Sequence, residues 1–346
     1  AAWIWCQPDV STQEIPKKLA GLDVLEPVWV RMEVEQDGIC HNDCDAGFVR
    51  TAHANGYRVW GTVSNNFTEA GSSNFTYKMF TVEAILNTVI AQYLFYAILY
   101  DWDGINVDYE QIEPWNPTVL QTIETREGFV TLLERLTDLA HRQGLNVSVD
   151  LPPVEDWYPE FDFRRIGEIC DYTMIMTYDE HYSNSANAGS VSDLPWAEEC
   201  VREMLRYVPA EKLVLGVPLY TRVYTTPKTS LANLSNSAAS MTQMAEILRE
   251  NNVTPVWRDT EKQYYGEWPD SSDDTRIKRV WIEDARSVAN RLALVEKYGL
   301  AGTACWSYDN GTEAIWDVFD AMLHHGEPLE TFDREPGEEP AGETQP

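Results

Sequence analysis

The sequence predicts an α/β fold: a (β/α)8 barrel with a small α+β insertion after its seventh strand. Strand-like and helix-like segments alternate along the whole chain, which argues for βα units on a parallel sheet. The strand-like segments number eight, at 3–6, 25–31, 58–64, 104–110, 145–151, 172–179, 213–220 and 302–308, and eight closes such a barrel. Several of them end in acids, phenols or an indole, and barrels of this kind carry their chemistry at the C-terminal ends of strands.

Taken in order, the first strand ends near Trp5 and the third runs into Asn65 and Asn66, all placed to line a pocket. The fourth is Asp103-Gly104-Ile105-Asn106-Val107-Asp108-Tyr109-Glu110. Read with period two, Asn106, Asp108 and Glu110 share one face, while Ile105, Val107 and Tyr109 share the other. The sixth strand delivers Met176, Tyr178 and Asp179, the seventh Tyr220 and, just beyond it, Arg222, and the eighth Trp306. Amphipathic helices at 80–99, 126–143, 194–207, 284–298 and 312–324 would cover the barrel exterior. The stretch from 220 to 284 is far longer than a connection needs and predicts its own structure: a helix at 238–251 and short strands at 254–257, 263–268 and 279–282. The barrel is therefore expected over 1–326, with the insertion at 222–283. Residues 327–346, rich in Pro, Gly and Glu, read as a disordered tail or linker.

Composition narrows the function. With 26 Lys+Arg against 56 Asp+Glu the net charge is −30, a field that repels nucleic acid and anionic membranes. It also disfavours anionic wall polymers. No apolar run is long enough to span a bilayer, so no membrane insertion is expected. The opening Ala1-Ala2-Trp3, without a basic segment, is what a processed secreted chain looks like. The 13 Trp and 17 Tyr exceed what packing usually uses, and aromatic faces are where sugar rings stack. Of the six cysteines, Cys40 and Cys44 either close a small loop disulfide or stay free, and Cys6 and Cys305 fall on strands as small buried residues. The Asn-x-Ser/Thr triplets at Asn66, Asn74, Asn146, Asn233, Asn252 and Asn310 read mostly as chance. No two-pair metal pattern occurs, and no cofactor or metal is expected.

A strand whose buried face ends in two carboxylates is chemically expensive. Desolvation and like charge both raise a carboxyl pKa, so Glu110 beside Asp108 is placed to hold a proton near neutral pH and act as a general acid. The pair lies on one strand and approaches a substrate from one side, which suits an acid and a nucleophile flanking a bond poorly.

The run Asp103, Asp108, Glu110 resembles the Asp-x-x-Asp-x-Asp-x-Glu signature of glycoside hydrolase family 18, with Asn106 where most chitinases carry Asp. The form is similar to the bacterial branch that includes spore-cortex-lytic N-acetylglucosaminidases. Met176-Thr177-Tyr178-Asp179 matches the family's second signature, and Trp306 stands where the family places a tryptophan under the sugar. The resemblance implies a retaining glycosidase acting on β-1,4 bonds at N-acetylglucosamine by substrate-assisted catalysis, with Glu110 as acid, Asp108 as stabiliser and Tyr178 orienting the substrate's acetamido carbonyl. Tyr220 and Arg222 match positions near the cleft floor, and Arg222 alternatively pairs with a surface acid. Asp179 and His181 resemble the spore-lytic branch and are placed to contact substrate; a lone loop His is otherwise simply solvated. Asn106, Met176, Asn65 and Trp5 complete the expected substrate-binding set. The partner is then an N-acetylglucosamine-containing glycan, from peptidoglycan fragments or chitooligosaccharides, met by a monomer outside the cell or at its envelope. An endo-N-acetylglucosaminidase on N-glycans and a non-catalytic chitinase-like lectin are the alternatives; lectins of this kind typically lose the acid that Glu110 supplies here.

Asn106 carries a prediction of its own. Asn offers hydrogen bonds without a titrating group, so the acidic limb of the pH–rate profile should be simple and Asn106→Asp should alter it. An unchanged profile would refute this.

Overall fold

The computed structural model of the protein describes residues 1–4, 18–33, 38–65, 70–155 and 158–333. Within them Ala2–Ile4, Val24–Met32, Arg58–Ser64, Gly104–Asp108, Asn146–Leu151, Tyr172–Ile175, Leu213–Pro218 and Gly302–Trp306 each pair in parallel with the next. Ala2–Ile4 also pairs with the last strand, which closes the ring. The predicted (β/α)8 barrel is therefore present. One short strand, Cys40–Asn42, adds antiparallel to Val24–Met32.

Two apolar layers hold the ring. Outside, Ile105, Val107, Val147, Val149 and Leu215 belong to one core with Phe129, Leu133, Val201 and Leu292 of the surrounding helices. Inside, Trp3, Val24, Trp60, Met174, Val214 and Ala304 fill the barrel. An interior filled with side chains is a core, so ligands must bind at the strand ends.

Several element bounds shift for local reasons. The helix expected at 80–99 is two, Ser72–Thr81 and Glu83–Leu99, because Val82 is extended (φ −114°, ψ 99°) between them. Adjacent β-branched Thr81 and Val82 weaken helical continuation there. No single helix among the described residues is long and apolar enough to cross a membrane; this pair passes such a test only jointly, across a 103° bend. The helix expected at 312–324 is Ile315–Phe319 followed by a π turn, Asp320–His324. The chain stays built beyond 326: Leu329 and Phe332 pack on the core, and Asp333 pairs with Arg286 at 2.7 Å. Residues 334–346, Trp5, Cys6 and Asn66 lie outside the described residues. Cys40 and Cys44 are not joined, and burial pushes the Cys40 thiol up to about 12.

The long segment after the seventh strand forms a five-stranded antiparallel sheet in the order Ser235–Ser240, Tyr220–Pro227, Arg276–Ile282, Gln263–Pro269, Val256–Arg258. Helix Met241–Glu250 begins at a Ser240/Gln243 capping box. Its Met244 packs on Trp268, Val280 and Ile282 of the sheet. Strands Tyr220–Pro227 and Ser235–Ser240 are not among those the sequence predicts: the predicted seventh barrel strand ends at Tyr220, where the first begins, and the second, Ser-Asn-Ser-Ala-Ala-Ser, has little strand propensity and overlaps the start of the helix expected at 238–251.

A buried ion pair fastens this sheet to the barrel. Arg291, in helix Ala285–Tyr298, donates to both Glu283 oxygens at 2.7 and 2.8 Å with both side chains at or below 1% exposure. It also donates to the Ser192 carbonyl, while Gln263 of the sheet links Glu283 to Ser190. Sheet, helix and the loop after the sixth strand thus meet at one guanidinium. Arg291→Met leaves Glu283 buried without its cation, so urea unfolding should show a loss of about 3–5 kcal/mol. A loss under about 1 kcal/mol would mean that the pair does not hold the sheet.

Candidate active site

Gly104–Asp108 ends at Asp108, and the chain leaves the ladder before Glu110. What holds Glu110 is Asn65, at the end of the third strand. Its Nδ2 donates to the Glu110 carbonyl at 2.6 Å and its Oδ1 accepts the Glu110 N–H at 3.2 Å. Asn65 is 1% exposed, so the expected pocket-lining residue is instead a clamp on the acid's backbone. Tyr109 anchors the other face, stacked on Phe129 and with its hydroxyl 2.6 Å from that of Tyr93. Asp103, the first acid of the signature, accepts from Val59 N at 2.8 Å and contacts His53 Nε2 at 2.9 Å, so it braces the strand's beginning.

Burial pushes Asp108 up to about 7. Burial, then the charges of Asp108 and Asp179, pushes Glu110 up to about 8. Tyr178 is held well above its ordinary value by burial and by the fields of Asp150, Asp108 and Glu110, so acids from two strands and this phenol share one space. The ring stands edge-on to Trp3 at 6.3 Å, and Trp3 also packs on Trp306 at 6.2 Å. Behind it lies Gly216, where an added Cβ would stand 2.5 Å from the Ile175 carbonyl and 3.2 Å from Tyr178 Cε1. Any side chain there would displace the phenol or the strand end.

The predicted sixth strand stops at Ile175, and Met176 is half-buried. Asp179 takes a left-handed backbone (φ 62°). It accepts the Tyr220 hydroxyl at 2.6 Å and lies 3.6 Å from Arg222 Nε. Arg222 also donates to Asn236 at 3.0 Å, and Asp179, the acid it faces, is both a residue of the expected site and exposed at the surface. His181 turns to the following loop: its Nδ1 lies 3.1 Å from the Ser190 carbonyl, and its ring fills the space over Gly189. None of these contacts ties it to Asp108 or Glu110.

Below the acids lies a polar layer that the sequence reading took up only at Asn106. Asn106, fully buried, donates to Asp150 at 2.7 Å and to Thr62 at 3.3 Å, and accepts from Ser148 at 2.7 Å. Glu26 is fully buried as well, and burial lifts it to about 8. The signal was present: Glu26 interrupts Val24-Leu25-Glu26-Pro27-Val28, and Ser148 and Asp150 alternate with Val147, Val149 and Leu151. No group of three or more His, Cys, Asp or Glu among the described residues is arranged to hold a metal ion.

A (β/α)8 barrel with an acid pair at the mouth of its fourth strand and a half-buried tyrosine after its sixth defines a barrel glycosidase. Residues 60–311 match glycosyl hydrolases family 18, and the chain belongs to that family. It is 29% identical over 228 residues to the cortical fragment-lytic enzyme of Bacillus subtilis (strain 168), across 64% of this chain and 49% of the relative. It is 24% identical over 246 residues to the di-N-acetylchitobiase of Rattus norvegicus, across 63% and 64% of the two. The matches span 49%, 59% and 55% of three Bacillus subtilis relatives. The fold is shared with the spore cortex-lytic enzyme SleL of Bacillus megaterium QM B1551 (TM-score 0.78, 20% identity, 92% of this chain and 72% of that one). It is shared likewise with a chitinase of Chromobacterium violaceum ATCC 12472 (TM-score 0.75, 21% identity, 88% and 92%).

The Asn65 clamp predicts a separable effect. Asn65→Ala should lower kcat about ten- to a hundredfold with KM little changed, because a loosened Glu110 backbone misplaces the acid without removing it. Steady-state kinetics would expose an idle clamp as an unchanged kcat.

Proposed function

We propose that the protein is a retaining glycosidase that hydrolyses β-1,4 bonds at N-acetylglucosamine residues, with the substrate's own 2-acetamido group as nucleophile. The observation that carries this is Glu110: a carboxyl lifted to about 8 by burial and by Asp108 and Asp179, in a cleft it shares with Tyr178. Glu110 arrives protonated and gives its proton to the glycosidic oxygen. The acetamido carbonyl oxygen attacks the anomeric carbon as that bond breaks, forming an oxazolinium ion. Asp108 accepts from the acetamido N–H and its negative charge stabilises the ion, while Tyr178 donates to the carbonyl oxygen and fixes its line of attack. Glu110, now ionised, takes a proton from the water that opens the ring, and configuration is retained. Trp306 beside Trp3 supplies an apolar face for the sugar. Tyr220, Asp179 and Arg222 form the polar wall beside it.

Peptidoglycan fragments are the favoured substrate, on the similarity to the cortical fragment-lytic enzyme and to SleL. Small soluble fragments also suit a chain of net charge −30 better than an anionic wall polymer does. Chitooligosaccharides are the second reading, favoured by the similarity to a di-N-acetylchitobiase.

Mass spectrometry of products from disaccharide-repeat muropeptides and from chitotetraose, in parallel with Glu110→Gln, tests both. Cleavage of muropeptides that the variant abolishes is the expected result; cleavage of chitotetraose alone selects the second reading. Sugar binding without cleavage of either turns the reading to N-glycans and then to a non-catalytic lectin. The profile of kcat/KM should be a bell, rising as Asp108 ionises near pH 7 and falling as Glu110 loses its proton near pH 8.

A further inference from the structure

The polar layer beneath the catalytic acids holds a carboxyl that the scheme above does not use. Asp150 is 2% exposed. One oxygen, Oδ2, accepts from Asn106 Nδ2 at 2.7 Å. The other, Oδ1, is shut from solvent and accepts no hydrogen bond from any described residue. The Asn106 amide is oriented from its far side, since its Oδ1 accepts the Ser148 hydroxyl at 2.7 Å and leaves only Nδ2 to face Asp150.

The groups whose fields act on Asp150 are all acids. They are Asp108 and Glu110 from the fourth strand and Glu26 from the second, and Tyr178 after the sixth feels Asp150 in turn. No Lys, Arg or His among the described residues forms an ion pair with Asp150, Asp108, Glu110 or Glu26. A buried carboxyl without a cation, beside three others, keeps its proton. With Oδ2 already accepting from Asn106, the proton sits on Oδ1, the oxygen that no donor reaches.

The geometry points to Asp150 as a positioning residue for the proposed reaction: a neutral acid, aimed by Asn106 and Ser148, whose Oδ1–H donates to the Asp108 carboxylate and keeps Asp108 ionised while Glu110 is still protonated. The inference rests on the glycosidase reading. No bond to carbon forms or breaks at Asp150; a proton is held between two carboxyls, and the negative charge stays on Asp108 facing the oxazolinium ion. The shared proton that Asn106 cannot supply comes from the neighbouring strand. Glu26 does not share the role: no donor reaches either carboxyl oxygen among the described residues, and only its backbone carbonyl connects to Asn106, through the Thr62 hydroxyl.

Two variants and two readouts decide. Asp150→Ala removes the donor, so the acidic limb of kcat/KM should move up by about one pH unit, with a loss of about ten- to a hundredfold at neutral pH. Asp150→Asn keeps an N–H where the O–H stood and a carbonyl for Asn106, so it should recover most of that loss and restore the limb. If Asp150 were ionised, Asp150→Asn would remove a negative charge and shift both limbs to lower pH, which overturns the proposal. If Asp150 merely supported Asn106, Asp150→Ala would lower stability and leave the limb in place, which overturns it as well. Infrared spectroscopy reads the proton without any turnover. A carboxylic-acid C=O band at neutral pH that Asp150→Asn removes is expected, and its presence unchanged in the variant excludes a protonated Asp150. Should no glycan be cleaved, the glycosidase reading fails by itself, and the infrared band with the pH dependence of sugar binding still decides about Asp150.

Discussion

Everything at the strand ends follows from packing carboxyl groups into a barrel mouth with no cation paired to them among the described residues. In a low-dielectric site an unpaired charge is costly, so an acid there is either protonated or supported by hydrogen bonds. A nearby Arg or Lys would relieve Glu110 and at the same time strip it of the proton that makes it an acid. The chain supports Glu110 through its backbone instead, where Asn65 holds the main chain and leaves the carboxyl untouched.

Glu283 shows the alternative within the same molecule. It is buried where Glu110 is only partly so, yet Arg291 lies 2.7 Å from it, and burial raises it to about 7 against the pull of that guanidinium. That pair fixes architecture. The cation-free cluster of Asp108, Glu110 and Asp150 carries protons. The apolar parts serve the same division, since Trp3 backs both Tyr178 and Trp306, and Gly216 leaves the room that the phenol occupies.

The barrel was legible because each strand declares itself locally, by apolar runs and alternation that tertiary context did not override. Asp108, Glu110 and Tyr178 were legible for the same reason, as polar residues at the ends of such runs. Strand ends were not: alternation continues on paper through Glu110 and Asp179, whereas the backbone leaves the ladder at Asp108 and Ile175 to aim those side chains. The role of Asn65 was hidden because its partner is the Glu110 main chain, which no residue type reveals. Glu26 and Asp150 are visible as acids in apolar strands but carry no signal of a role, since Glu26 stands near the start of its strand and Asp150, one residue from the end of its own, is enclosed by Val149 and Leu151 in a run that reads as core.

The buried lock at Arg291 has a bearing on how selectivity arises. The sheet that carries Tyr220 and Arg222 is joined to the barrel helix and to the loop after the sixth strand through one enclosed network. A jaw tied down in this way offers Tyr220 and Arg222 at positions set by the fold, so the shape of the cleft is written into the same contacts that hold the sheet on the barrel.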